Sequence, residues 1–498
     1  MSEAKEIPKG WHNATISDLI GDTGVFLDGD WIESKDQDPN GIVRLIQLAD
    51  IGDGDFKNKS NRFLTIERAK KLNCTFLKEG DILVARMPDP IGRACIFPLK
   101  EDERFITAVD VAIIRLGKNG IQNKFLVHSI NNRKIRNEIE NLQSGTTRKR
   151  ISRANLAMLK FPIPPLPEQH RIVAKIEELF SSLDKGIESL KTAQEHLKVY
   201  RQAVLKWAFE GKLTETERDR KLFPDARELY EGIKKKGREY GVKLKYPKII
   251  SSDELPIIPE DWIWVRNEEL LKYVTSGSRD WKKYYSPTGS MFIRTQNIKT
   301  NNIDLSEVAF VSIPEKVEGK RSLVEKGDLL MTITGANVGK VALIEKEIPE
   351  AYVSQSVALM KYLDTDLTKY MWYYFQCHHF GEGLINGLVY GVGRPVLSLE
   401  NMKEVPVGLC SKKEQQRIVS EIESRLTICD KIEESISSSL LQAEALRQSI
   451  LKKAFEGKLV LQDPHDEPAS VLLERIKAER EKNKSVKKVK QTNKIAEL

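Results

Sequence analysis

The chain has 498 residues, 40% hydrophobic and 31% charged, with a net charge of +8 at pH 7; that is too long for one ordinary core and predicts about three domains. No stretch approaches the ~20 apolar residues of a membrane span, and the first residues hold no apolar run of signal-peptide length. The five cysteines (Cys74, Cys95, Cys377, Cys410, Cys429) are scattered and form no CxxC pair, which predicts a reducing cytoplasm and no structural zinc, since Cys377-His378-His379 has no second ligand cluster.

Residues 1–160 read as a mixed domain. Asp81–Ala85 and Val109–Ile114 are short apolar runs between turns, the mark of strands, and 122–142 reads as helix. Residues 161–213 predict the first long helix. From 168 to 211 there is no proline, and Ile172, Ile176, Leu179, Leu183, Ile187, Leu190, Leu197, Val204 and Trp207 recur every 3.5 residues on average once Gln194 and Tyr200 fill the gaps, which is the coiled-coil period. Pro164, Pro165 and Pro167 allow a start near Glu168, and Gly211 is the natural stop. Gly186 inside this helix costs about 1 kcal/mol against alanine, for no reason visible in the sequence.

Residues 214–257 read as a linker with a helical extension. Residues 258–407 are mixed again, with strands expected at Asp328–Ile333 and Val357–Met360 and helix at 364–380. Residues 408–460 predict the second long helix, with Ile418, Ile422, Leu426, Cys429, Ile436, Leu440, Ala443, Leu446, Ile450 and Ala454 on one stripe and Gly457 as the stop. Ser411-Lys412-Lys413 stands where the first copy has Pro165-Leu166-Pro167, so this helix is expected to begin earlier or less sharply. Residues 461–498 read as a helical extension and a basic tail expected to be disordered. From Lys482 onward the tail carries six lysines and one glutamate, +5 of the total +8, which leaves only +3 for the rest. Charge that attracts an acidic partner to the body must therefore be local.

The order of these elements repeats. Ile7-Pro8-Lys9-Gly10-Trp11 recurs as Ile258-Pro259-Glu260-Asp261-Trp262, and Gly80-Asp81-Ile82-Leu83 as Gly327-Asp328-Leu329-Leu330. Glu168-Gln169-His170-Arg171-Ile172-Val173 recurs as Glu414-Gln415-Gln416-Arg417-Ile418-Val419, and Ala208–Leu213 as Ala454–Leu459. A last, fainter echo pairs Ala226 to Lys235 with Ala469 to Ala478, and the offset stays between 243 and 251 throughout. The helices match closely and the mixed domains only at scattered positions, as expected of a common scaffold carrying two different readers.

No catalytic motif stands out. Gly335–Lys340, GANVGK, has three residues between its glycines and Val341 after its lysine, where a phosphate loop needs four residues and then Ser or Thr; a glycine turn between strands is expected instead. What is present suits DNA. Gly145-Thr146-Thr147-Arg148-Lys149-Arg150 in the first domain is matched in the repeat by Gly391-Val392-Gly393-Arg394 in the second. Such a loop brings its backbone close to phosphate while arginine reaches phosphate or guanine. Lys57, Lys59, Arg62, Arg86 and Arg93 are further candidates in the first domain. In the second they are Arg279, Lys282, Lys283, Tyr284 and Tyr285, basic residues interleaved with aromatics, with Arg294, Asn337 and Lys340.

A variable domain ending near PLPEQxRIV, then a long helix ending in AFEGKL, all repeated once, resembles the specificity subunit of Type I restriction–modification systems. The resemblance runs from Ile7 to about Asn483. It implies a mixed α/β (α+β) fold: two target recognition domains and two long helices paired as an antiparallel coiled coil, an internal repeat with a pseudo-twofold axis. It implies double-stranded DNA as ligand, each domain reading one half of a split site. The implied partners are two methyltransferase subunits that use S-adenosylmethionine and two motor–nuclease subunits that use ATP and Mg2+, with no cofactor bound by this chain. Two other readings stand beside it: a stand-alone nuclease or methyltransferase with an unfamiliar motif, and a coiled-coil scaffold without DNA readout.

Overall fold

The computed structural model describes all residues except 1–6, 22, 89, 118–120, 146–147, 243–254, 280, 301, 315–318 and 497–498; at Lys282 and 483–496 it describes the backbone alone. The chain divides into two compact units. One joins Met1–Leu190 to Ser438–Leu498, and the other is Lys191–Ser437.

In the first unit, strands Val25–Asp28, Val111–Arg115, Ile82–Ala85 and Ala94–Ile96 form an antiparallel sheet in that order. Its side chains alternate between two cores, as the strand period of two requires. Ile82, Val84, Ala112 and Ile114 face a core shared with Phe125, Leu126, Ile172, Ile176, Ile450 and Leu451. Leu83, Ala85, Val111 and Ile113 face the other core with Ile46, Phe97 and Phe105. Burial on both faces is why these strands read as unbroken apolar runs. Beyond that second core lies the sheet Arg62–Leu64, Val43–Ile46, Phe105–Thr107, whose last pair is parallel.

The second unit repeats this plan. Leu271–Ser276, Val357–Tyr362, Leu329–Thr332 and Val341–Leu343 form its antiparallel sheet. Ser290–Ile293 pairs parallel with Ala351–Val353 in the other sheet, which gains the short strand Tyr285–Ser286. The predicted helix at 122–142 is two helices, Asn123–Ile130 and Arg133–Asn141, parted where Asn132 caps the second by accepting the Lys134 N–H.

The long helices are Leu166–Phe209 and Lys412–Phe455, 44 residues each, or about 66 Å. They start at equivalent positions, so the expected looser start of the second is overturned. Ser411 replaces the proline cap: its hydroxyl accepts the Glu414 N–H at 3.3 Å, and Gln415 Nε2 donates to the Cys410 carbonyl at 2.8 Å, as Gln169 Nε2 does to Pro164 at 2.9 Å. Each start is also clamped. Trp11 Nε1 donates to the Glu168 carboxylate at 3.1 Å, and Trp262 Nε1 to Glu414 at 3.0 Å. Both carboxylates are buried, and burial raises their pKa values. The repeated IPxxW and EQxRIV sequences are the two sides of this clamp. Gly211 and Gly457 end the helices at φ +72° and +67°.

The helices pair antiparallel within each unit. Arg447 ion-pairs with Asp184 and lies 4.5 Å over the Phe180 ring in the first; Arg201 reaches Asp430 at 2.6 Å and Glu433 at 2.9 Å in the second. In the first helix the stripe is fully buried only toward the ends, as at Ile172, Ile176 and Val204, whereas the second helix buries Ile418 and Ile422 and also Cys429, Ile436 and Ala443 through its middle. Trp207 and Leu446, expected on it, are 38% and 51% exposed. A Cβ on Gly186 would meet nothing, so no packing requires that glycine. The lysine-rich tail expected to be disordered falls in helix Ala469–Ala496, a stretch without proline or glycine.

Ala469 N–H donates to Gly10 at 2.9 Å, as Ala226 N–H does to Asp261 at 3.4 Å. The C-terminal extension thus holds the start of the first repeat as the linker segment holds the start of the second.

Candidate nucleic-acid interface

Two loops of unrelated sequence have one geometry. Ser144 and Arg150 exchange two backbone hydrogen bonds, both 2.9 Å; 246 positions later Tyr390 and Val396 exchange two of 3.0 and 2.8 Å. Gly145 and Gly391 take φ +106° and +95°, and a Cβ on them would sit 2.6 and 2.7 Å from the carbonyls of Arg148 and Arg394. Glycine is required there by both conformation and space. Arg148 and Arg394 hold the same place in the loop, are exposed, and make no ion pair among the described residues. Lys149 and Arg150 are also exposed. Thr146 and Thr147 lie outside the described residues.

Each loop leans on a strand hairpin. Ile151 N–H donates to Arg86, and Leu397 N–H to Ile333, both at 3.0 Å; Gly335 N–H reaches Pro395 at 2.9 Å. The hairpins match as well: Ala85 N–H donates to Arg93 at 2.8 Å and Thr332 N–H to Lys340 at 2.9 Å. GANVGK is thus a glycine turn between strands, and Arg93 and Lys340 are equivalent residues flanking the two hairpins. Both are half-buried, as is Asn337, whose carbonyl accepts the Lys340 N–H. Arg93 Nη2 reaches the Leu48 carbonyl at 3.3 Å, which ties the hairpin to the loop bearing Lys57 and Lys59.

Arg86 is a correction. It is 7% exposed, pairs with Asp28, and donates to the carbonyls of Ile151 at 3.1 Å and Val109 at 3.2 Å. Its guanidinium is spent inside the domain, so it supports the loop and is not placed to contact DNA. Lys57, Lys59 and Arg62 are exposed. Lys57 pairs with Asp55 at 2.6 Å, an exposed pair of little worth. The buried Asp50 carboxylate shapes this segment by accepting the Lys59 and Ser60 N–H groups at 2.6 and 2.8 Å.

The basic–aromatic run of the second unit splits by role. Trp281 is core, 5.8 Å from Phe292 and 5.4 Å from Tyr352 between ring centroids. Arg279 is exposed, Lys283 lies 5.0 Å over the half-buried Tyr284 ring, and Tyr285 is 45% exposed but packs its edge on Phe292. The Lys282 side chain lies outside the described residues. Arg294 is half-buried and sits on the Glu307 carbonyl at 3.4 Å.

Sequence reasoning passed over Trp31, which is 70% exposed. It stands where the second unit has Arg279, each two residues after a glycine whose Cβ would lie 2.1 or 1.9 Å from a neighbouring carbonyl oxygen. Aligning Gly29 with Gly277 would have found it. Tyr390 and Val392 were also missed as candidates, because only charges were read in their loop.

All five cysteines are free and buried. Among the described residues no group of three or more His, Cys, Asp and Glu is arranged to hold a metal ion, and no helix is long and apolar enough to cross a membrane.

A family model described as the Type I restriction modification DNA specificity domain matches residues 8–194 and 259–442. The chain is 29% identical over 351 residues to the Type I restriction enzyme EcoBI specificity subunit of Escherichia coli, spanning 68% of each. It is 27% identical over 368 residues to the EcoKI specificity subunit of Escherichia coli (strain K12), 72% of this chain and 71% of that one. Among solved structures, the HsdS subunit from Thermoanaerobacter tengcongensis aligns with TM-score 0.50 at 18% identity, over 91% of this chain and 99% of that one. A chain from work on the complex assembly and conformational transition of the type I R-M system gives TM-score 0.64 at 17% identity, with the same coverage. At such identities these structures bear on the fold alone, and the fold agrees.

Proposed function

Since the chain belongs to the Type I restriction–modification DNA specificity family, we propose that it selects the DNA site for a methyltransferase and a nuclease carried by other subunits, each of its two units reading one half of a split double-stranded site. The observation that carries this reading is the pair of matched loops, each presenting at the same position an exposed arginine, Arg148 or Arg394, with no ion pair among the described residues, beside a hairpin flanked by Arg93 or Lys340. Arginine at such a loop contacts phosphate through charge and guanine through its planar fork. Lys57, Lys59, Arg62, Lys149 and Arg150 add charge in the first unit, and Arg279 and Lys283 in the second. Because the loops share geometry and differ in side chains, the half-sites differ in sequence.

In this proposal the reactions belong to the partners: two methyltransferase subunits using S-adenosylmethionine and two motor–nuclease subunits using ATP and Mg2+. The long helices supply their docking surface. Val199, Ile428 and Leu441 are 70%, 57% and 75% exposed there, a pattern suited to a partner helix. The helices also fix the gap between the half-sites.

Mapping methylated adenines in a host that carries this chain and its partners tests the reading, alongside the Arg148→Ala and Arg394→Ala variants. A split site is expected, with each variant weakening a different half. A lost guanine contact costs about 1–3 kcal/mol at one base, whereas a lost phosphate contact weakens binding to all sequences and flattens the salt dependence. The purified chain alone is expected neither to cut nor to methylate. Turnover by the chain alone, or variants with unchanged DNA binding, would overturn the reading.

A further inference from the structure

The two matched loops differ in one respect that their arginines conceal. The first carries Thr146, Thr147, Arg148, Lys149 and Arg150; the second carries Val392, Gly393, Arg394 and Pro395, one charge in place of three. Val392 is 107% exposed, as open as a valine in an extended peptide. It lies between Gly391, held in the left-handed region at φ +95°, and Gly393, whose Cβ would meet nothing. Tyr390, which closes the loop with Val396, is itself 56% exposed. The loop is held from below by the Gly335–Pro395 and Leu397–Ile333 hydrogen bonds, so this exposure belongs to a fixed loop.

A branched apolar side chain set fully in water gains nothing for the fold. Its neighbours say what it meets. Gly391 and Gly393 leave no side chain beside it, so a surface can approach the backbone closely. Arg394 lies two residues on, and a guanidinium that reads guanine does so in the major groove. The apolar feature of that groove is the thymine 5-methyl group, which small apolar side chains contact. Side chains that wedge between base steps are Phe, Leu, Ile, Met and Pro, and they act from the minor groove. Valine suits the former role.

We infer that Val392 is a specificity-determining residue that packs against a thymine methyl group in the half-site read by the second unit. The inference rests on the DNA reading proposed above. The position that matches Val392 in the sequence of the first unit is a threonine, Thr146.

The test uses the full chain assembled with its methyltransferase subunits and a duplex carrying its mapped site. Each thymine is replaced singly by deoxyuridine, which removes the methyl group and keeps the base pair. One replacement is expected to weaken binding about fourfold, the weight of one buried methyl. The Val392→Ala variant, which removes no packing, should show a similar loss on ordinary DNA and no further loss at that deoxyuridine. Binding by the parent complex that ignores every deoxyuridine would overturn the inference, and so would Val392→Ala retaining the parent's full sensitivity. If the parent complex shows no preference for the mapped site over a scrambled duplex, the DNA reading itself has failed, a result distinct from either.

Discussion

His128 packs edge-on against Phe180 of the first long helix, with ring centroids 5.8 Å apart, and burial holds its imidazole down at about 4. The unfolded chain titrates near 6.5. Between those values the folded state binds fewer protons than the unfolded one, so this contribution is fully present above pH 6.5 and lost as pH falls through about 4. Asp30 opposes it: burial raises its carboxyl to about 6, so its contribution is lost as pH rises through that value. A His128→Leu variant isolates the first effect. Its stability relative to the parent, from denaturant titrations, should improve by up to about 3 kcal/mol from pH 7 to pH 4; a constant difference would refute the assignment. Arg86 allows a second prediction. Charge at a surface is rescued by lysine, but a buried fork is not. Both Arg86→Ala and Arg86→Lys should therefore destabilise the first unit, by about 2–4 kcal/mol, and weaken DNA binding through loss of the Ile151 anchor. Full DNA binding by Arg86→Lys would restore it as a direct contact. Arg86 shows why individual site residues were hard to read: composition marks the side chain as basic, but its Asp28 partner is brought to it only by the fold.

Elements were more legible than residues. Glu168 and the glycine stops Gly211 and Gly457 lie within two residues of observed helix ends, whereas the bounds 161–213 and 408–460 overrun the helices by four or five residues at each end. The second start was misread because prolines were taken as the device, while Ser411, Gln415 and the Trp262–Glu414 clamp do the same work. Trp207 and Leu446 fit the period yet turn outward, since periodicity cannot tell an apolar face that meets its own chain from one left for a partner. The paired helices make a further prediction. Four residues inserted near Ala193 lengthen the first helix by about 6 Å and turn its far end by about 40°, and a coiled pair absorbs such a stutter by local unwinding. The variant is expected to keep both half-sites and to lengthen the spacer by one or two base pairs. An active variant with the original spacer in a methylation map would mean that the helices do not set the distance.

At the scale of the whole molecule, sequence order and unit membership part company. Ala469, Leu472 and Ile476 of the C-terminal helix are buried in the core of the first unit, which the repeat hinted at only faintly through Ala226 and Ala469. Deleting 461–498 should therefore destabilise the first unit, by about 3–6 kcal/mol for two large apolar side chains, and spare the second. Hydrogen exchange followed peptide by peptide checks this; equal loosening of both units, or loosening of 191–437 alone, would contradict it.

The same division bears on inheritance. Lys191–Ser437 is unbroken in the chain, and its ends fall inside the two helices that resemble each other most. One transferred stretch of coding sequence, joined within the helices, replaces a complete reader together with the half-helices it packs on. The first reader has no such stretch, because Ser438–Leu498 must travel with it. Exchange between related loci should thus diversify one half of the recognised sequence more readily than the other.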